Sequence, residues 1–109
     1  MKIEVIDYKG KKVIEVSGEI DMHASPSLRK ELMSLVSKKT TPLLVDLKGV
    51  SYIDSSGIAT FVEGLKGMMA FGGKLKLASI PAGVMEIFNF SKLDKVFEIY
   101  GDLDDAVNS

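Results

Sequence analysis

The residues best equipped for chemistry lie close together: Asp54, Ser55 and Ser56, followed by Gly57. Upstream stand an acidic stretch, Gly18-Glu19-Ile20-Asp21, and the single histidine, His23. An aspartate before a serine pair suits the start of a helix, where its carboxylate accepts the amide of Ser56 or Gly57. Ser55 is then the first helical residue, with its hydroxyl toward solvent. Gly57 carries no side chain to obstruct an approaching partner. Two readings stay open. In one, Asp-Ser-Ser-Gly is a helix cap and nothing more. In the other, a serine hydroxyl accepts a modification, since polar residues are gathered where one cap would suffice. A phosphate there meets free amides and the positive end of the helix dipole, and it brings a charge of about −1.5 to −2 beside Asp54. On a chain of formal net charge −1 that is a large local change, suited to a binding switch.

Other chemistries lack their parts. A Ser-His-Asp hydrolase would need His23 beside Ser55, and no Gly-x-Ser-x-Gly elbow is present. One histidine and no cysteine exclude multi-histidine and thiolate metal sites, disulfides and a thiol nucleophile. Gly64, Gly67, Gly72 and Gly73 match no dinucleotide or phosphate-binding loop, so neither an enzyme nor a cofactor is expected. Thirteen lysines and one arginine, Arg29, balance fifteen acids. The lysines are scattered at strand edges and helix ends, unlike the arginine-bearing basic face of a nucleic-acid binder. No apolar run approaches the ~18 residues of a membrane span, and the start, MKIEVIDYKG, lacks a signal-peptide core. A cytoplasmic protein is expected.

The elements that must position these groups follow from hydrophobic period. With 109 residues, 46% of them apolar, the chain suits one domain spanning residues 1–109. Residues 2–8 alternate Ile3 and Val5 against Glu4 and Ile6, and Lys9-Gly10 turns them into a second strand, Lys12–Val16. The link is too short for a crossover, so the two strands pair antiparallel. Gly18–Ala24 reads as a loop, and Ser25-Pro26 opens a helix with Ser25 as its cap. Leu28, Leu32, Leu35 and Val36 line one face of that helix, and Lys38 and Lys39 suit its last turn. Leu43–Leu47 is a short buried strand.

The spacing predicts a second helix over 55–71, with Ile58, Phe61, Val62, Leu65 and Met69 as its stripe. Gly64 and Gly67 within it imply close packing on the sheet or a neighbouring helix. A strand over 74–78 follows, then a helix from Pro81 with Val84, Ile87 and Phe88 inward. A strand over 96–100 and a short helix capped by Asp102 complete the chain. Alternating strands and helices indicate parallel pairs joined by right-handed crossovers. The expected class is α/β: a mixed, mostly parallel sheet of four or five strands, an N-terminal antiparallel hairpin and about four helices.

Three stretches carry a resemblance: Gly18-Glu19-Ile20-Asp21, Val45-Asp46-Leu47, and Tyr52-Ile53-Asp54-Ser55-Ser56-Gly57-Ile58. In these the chain resembles the anti-sigma-factor antagonists, single-domain members of the STAS family, and the likeness runs on to Ser91-x-Leu93-x-Lys95. Ile20 and Ile58 stand where leucine is more usual, and both keep the apolar character. The resemblance implies a regulatory module whose phosphoacceptor is Ser55. The implied partner is an anti-sigma factor that is also a serine kinase of the histidine-kinase-like ATPase type, with a serine phosphatase to reset the cycle. Asp21 matches the family's loop aspartate associated with kinase contact, and Ser56 matches the neighbouring hydroxyl. With Asp54 and Gly57 these make up the implied contact site, and Glu19, Asp21 and Asp54 would form an acidic rim around Ser55. An adaptor or accessory subunit of a transport or signalling complex is the alternative on the same fold.

Overall fold

In the computed structural model, which describes residues 1–109, five strands lie in the order in which they occur along the chain. Strands β1 (Lys2–Tyr8) and β2 (Lys11–Ile20) form the antiparallel hairpin. Strands β3 (Leu43–Ile53), β4 (Leu75–Ala78) and β5 (Glu98–Tyr100) add successively in parallel. The crossovers are α1 (Ser25–Ser37), α2 (Ser55–Met69) and α3 (Ala82–Phe90), the last followed by a 3-10 turn at Leu93–Lys95. Helix α4 (Leu103–Asn108) ends the chain. A strand order that never reverses, with right-handed crossovers, sends all three connecting helices to one face of the sheet.

The core follows from this. Ile14, Val16, Leu43, Val45, Leu47, Leu75 and Leu77 point to the three-helix face and join Leu28, Leu32, Phe61, Met68, Val84 and Phe88 in one cluster. The alternate residues Val13, Leu44 and Ala78 face the other way and form a small cluster with Ala106 of α4, against which Ile6, Tyr8, Tyr100, Leu103 and Val107 pack. No helix is long and apolar enough to cross a membrane.

The expected class, hairpin and four helices are borne out, and several details are corrected. Strand β2 continues through Ile20, and β3 continues through Ile53. Val50 and Ile53 keep their side chains in the core across the polar interruption at Lys48-Gly49. That interruption is a pairing irregularity rather than an end: the register shifts between Glu15 and Ser17. A Cβ at Gly49 would lie 2.7 Å from Ser17 Cβ, so glycine lets the two strands approach there.

In β1 the opposite faces separate the apolar residues, Ile3 joining the large cluster and Ile6 and Tyr8 the small one. Val5 stays exposed on this edge strand. Helix α1 ends at Ser37, so Lys38 caps it and Lys39 lies beyond, at φ 56°. In α2 the buried methionine is Met68, and Met69 faces solvent. The inward face of α3 is Val84 and Phe88, with Ile87 at its margin. The fifth strand begins at Glu98 because Val96 and Phe97 close the preceding 3-10 turn onto Leu93 O.

Candidate switch site at the carboxyl edge of the sheet

Strands β2 and β3 are parallel and end side by side, Ile20 opposite Ile53. Helices α1 and α2 therefore begin side by side at the carboxyl edge, where open α/β sheets place their functional groups. The Asp54 amide still donates to Ile20 O (3.2 Å), and then the chain turns into α2.

Asp54 is the N-cap of α2, as its type predicts. Its Oδ1 accepts the Ser56 amide at 2.9 Å, the Gly57 amide at 3.3 Å and the Ser56 hydroxyl at 2.5 Å. The Ser56 hydroxyl, then the Gly57, Ser56 and Met22 amides, hold the carboxyl below its ordinary value of 3.8, against a smaller opposing effect of burial. Ser55 is the first residue of α2 and is exposed. Its hydroxyl has no hydrogen-bond partner within the chain, whereas Ser56 is half-buried and bonded on two sides.

Gly57 differs from the expectation. It is buried, and a Cβ there would lie 2.6 Å from Ile53 Cγ1 and 2.8 Å from Ile20 Cγ2. The missing side chain makes room for the sheet beneath the helix, not for a visitor above it. The amides expected to be free for a phosphate are also accounted for, because Asp54 already occupies those of Ser56 and Gly57.

The Asp21 loop is built by its own carboxylate, whose Oδ1 accepts the amides of His23 (3.0 Å) and Ala24 (2.9 Å). Asp21 thus closes the turn before α1, the role expected of Ser25. Ser25 instead lies inside the helix, 6% exposed, with Oγ 2.8 Å from both Asp21 O and Ser56 Oγ. That contact, together with the Met22 amide at the Asp54 carboxyl, joins the loop of Asp21 to the start of α2. Asp21, Asp54, Ser55 and Ser56 are thereby gathered at one edge. His23 is exposed, and its imidazole bonds nothing; with Glu19, Asp21, Ala24 and Ser27 it lines an open hollow beside the loop. No group of three or more histidine and carboxylate side chains is placed to hold a metal ion.

Ser25 is the one member of this network that sequence reasoning assigned elsewhere. A serine ahead of a helical proline is a common cap signature, and only its contact with Ser56, 31 residues away, reveals the other use.

Comparison with known proteins gives the same architecture a lineage. The anti-sigma-B factor antagonist of Bacillus subtilis (strain 168) is 34% identical over 86 residues, covering 79% of this chain and 78% of that protein. The anti-sigma F factor antagonist of Paenibacillus polymyxa is 26% identical over 110 residues, covering 100% and 92%. The crystal structure of an anti-sigma factor antagonist from Mycobacterium paratuberculosis superposes with a TM-score of 0.89 at 28% identity, over 98% of this chain and 91% of that one. The model of the STAS domain matches residues 2–106, nearly the whole length, and the chain belongs to the STAS domain family.

Proposed function

We propose that the chain is an anti-sigma-factor antagonist: a binding module, not an enzyme, controlled by phosphorylation of Ser55. Unphosphorylated, it holds an anti-sigma factor that is also a serine kinase of the histidine-kinase-like ATPase type. Phosphorylated, it lets go, and a serine phosphatase restores it. The observation that carries this reading is the Ser55 hydroxyl, exposed and unbonded at the head of a capped helix. The relatives named as antagonists support the class of partner.

The geometry supports a division of roles within such a switch. Ser55 Oγ attacks the γ-phosphorus of ATP, ADP departs, and the hydroxyl proton goes to a base. Asp54 is a poor base for that step, because its Oδ1 is already engaged by three donors and its affinity for a proton is lowered. The base therefore comes from the kinase. Once formed, the phosphate carries a charge of about −1.5 to −2. It adjoins an ionised Asp54 and finds the Ser56 and Gly57 amides taken. Its charge is directed outward into the partner, where burying an unpaired dianion costs several kcal/mol.

Since ~1.4 kcal/mol is tenfold in affinity, one modification suffices for a release of a hundredfold or more. Calorimetric titration of the kinase with Ser55→Ala and Ser55→Asp tests this: the alanine chain binds and stays bound with ATP, and the aspartate chain binds more weakly. Peptide mass spectrometry after incubation with kinase and ATP places the phosphate on Ser55. Equal affinity of the two variants removes Ser55 from the switch.

A further inference from the structure

The hydrogen bonds between the two helix starts offer Ser25 two competing acceptors, Asp21 O and Ser56 Oγ. Two hydroxyl protons, those of Ser25 and Ser56, face three oxygen contacts: Ser25 Oγ to Asp21 O, Ser25 Oγ to Ser56 Oγ, and Ser56 Oγ to Asp54 Oδ1. Both ends of this chain are acceptors only. The Asp21 carbonyl already receives the amides of Ala24 (3.1 Å) and Ser25 (2.8 Å), which fill its two lone pairs. A third donor there would add little. If Ser25 gave its proton to Asp21, the two serine oxygens would face each other at 2.8 Å with no proton between them. Whichever way Ser25 turns, one of its two contacts lacks a proton, and the loss is smaller at the Asp21 carbonyl, which already has two donors: Ser25 donates to Ser56, and Ser56 donates to Asp54. Each bond in such a chain polarises the next.

We propose that Ser25 is a positioning residue that holds the Ser56 hydroxyl turned inward onto Asp54, leaving Ser55 as the single free alcohol at the head of α2. Ser25 is suited to this because it is buried within α1, while Ser56 is carried by α2. Two adjacent serines then present one acceptor. The selection of Ser55 over Ser56 rests on the phosphorylation reading above; the locking of Ser56 does not.

Two measurements on the full chain test the pair of claims separately. Three-bond Hα–Hβ couplings report the χ1 rotamer of Ser56. In the wild-type chain they show one fixed rotamer, and in Ser25→Ala they average. If Ser56 stays fixed in Ser25→Ala, the proposal is overturned. Ser25→Cys, which keeps the bulk and weakens the bond, gives the same reading should the alanine chain fail to fold. The second measurement uses an anti-sigma kinase and ATP, with the phosphate located by mass spectrometry in a Ser55→Ala background. Adding Ser25→Ala raises phosphate on Ser56 about fivefold to tenfold, the change that one ordinary hydrogen bond supplies. A purely structural role would lower total phosphate with no gain at Ser56, and that result, or no change, overturns the selection. Should the wild-type chain take no phosphate at all, the switch reading falls while the coupling measurement still decides the lock.

Discussion

At the scale of single residues, the site turns on one carboxylate oxygen. Asp54 Oδ1 gathers donors from Ser56 and Gly57, and the resulting preference for the ionised form is a statement about stability. The sign is that of a lowered carboxyl: the stabilisation is complete above the ordinary value of 3.8 and is lost as pH falls through the lower folded value. Glu63, held down by Arg29, and Asp104, held down by Lys9 and Tyr8, act in the same direction. Asparagine keeps the cap without the charge. Asp54→Asn therefore melts near the wild type at neutral pH and shows a shallower loss of stability below pH 3.8. Asp54→Ala melts lower at every pH above that range. Melting curves across pH check both, and identical acid profiles for wild type and Asp54→Asn would dismiss the assignment. Capping by Asp54 is legible in sequence because it is settled within three residues. The inward turn of Ser25 and the packing reason for Gly57 are not, since each depends on a strand or helix brought from far along the chain.

At the scale of elements, α1 and α2 form one rigid pair beneath the switch. Below the Ser25–Ser56 contact, the Arg29 guanidinium grips Glu63 through two bonds of 2.7 Å. Further down, a Cβ at Gly64 would lie 2.5 Å from Leu32 Cδ2, and one at Gly67 would lie 2.7 Å from Val36 Cγ1. The two glycines expected to mark close packing mark it against α1. Residues 25, 29, 32 and 36 thus make a seam along the full length of the helix, and a shift at one end is resisted at the other. The cost of filling it is calculable in outline. Alanine gains about 1 kcal/mol over glycine in helix propensity, whereas overpacking a fully buried leucine costs roughly 1–3 kcal/mol. Gly64→Ala is expected to lose up to about 2 kcal/mol of unfolding free energy, the difference of the two effects. A Cβ added at Gly83 in α3 would meet nothing within 4 Å, so Gly83→Ala gains up to ~1 kcal/mol. Denaturant titrations of the two variants give opposite signs; matching signs would show that the seam does not govern Gly64. Apolar spacing located these helices well, yet it mistook Met69 for Met68. The Gly-rich stripe rotates the true contact face toward α1 by about one residue.

At the scale of the whole molecule, the sheet is unequally covered. One face carries three helices and the large cluster, the other only α4 over Val13, Leu44 and Ala78. Asp104 bonds Tyr8 and Lys9 at one end of α4, and Lys76 Nζ reaches Ala106 O and Ser109 at the other. Native-state amide exchange is expected to be slowest in β3, paired on both sides and buried on both faces from Leu43 to Leu47. It should be faster in β1, an edge strand with mostly exposed or half-buried residues, and in six-residue α4. Equal protection in β1 and β3 would mean that the sheet opens only as one unit. The α/β class was readable from alternation of period, but strand lengths were not. A polar pair such as Lys48-Gly49 resembles a turn until the neighbouring strand is seen to bend with it.

Because spatial order repeats chain order, every strand after the hairpin is laid against a border that already exists. None has to wedge itself between two that have joined. A chain leaving the ribosome can accordingly accrete strand by strand from the hairpin onward, each helix closing one face over the strand just added without undoing an earlier pairing, and only the face under α4 waits for the last helix.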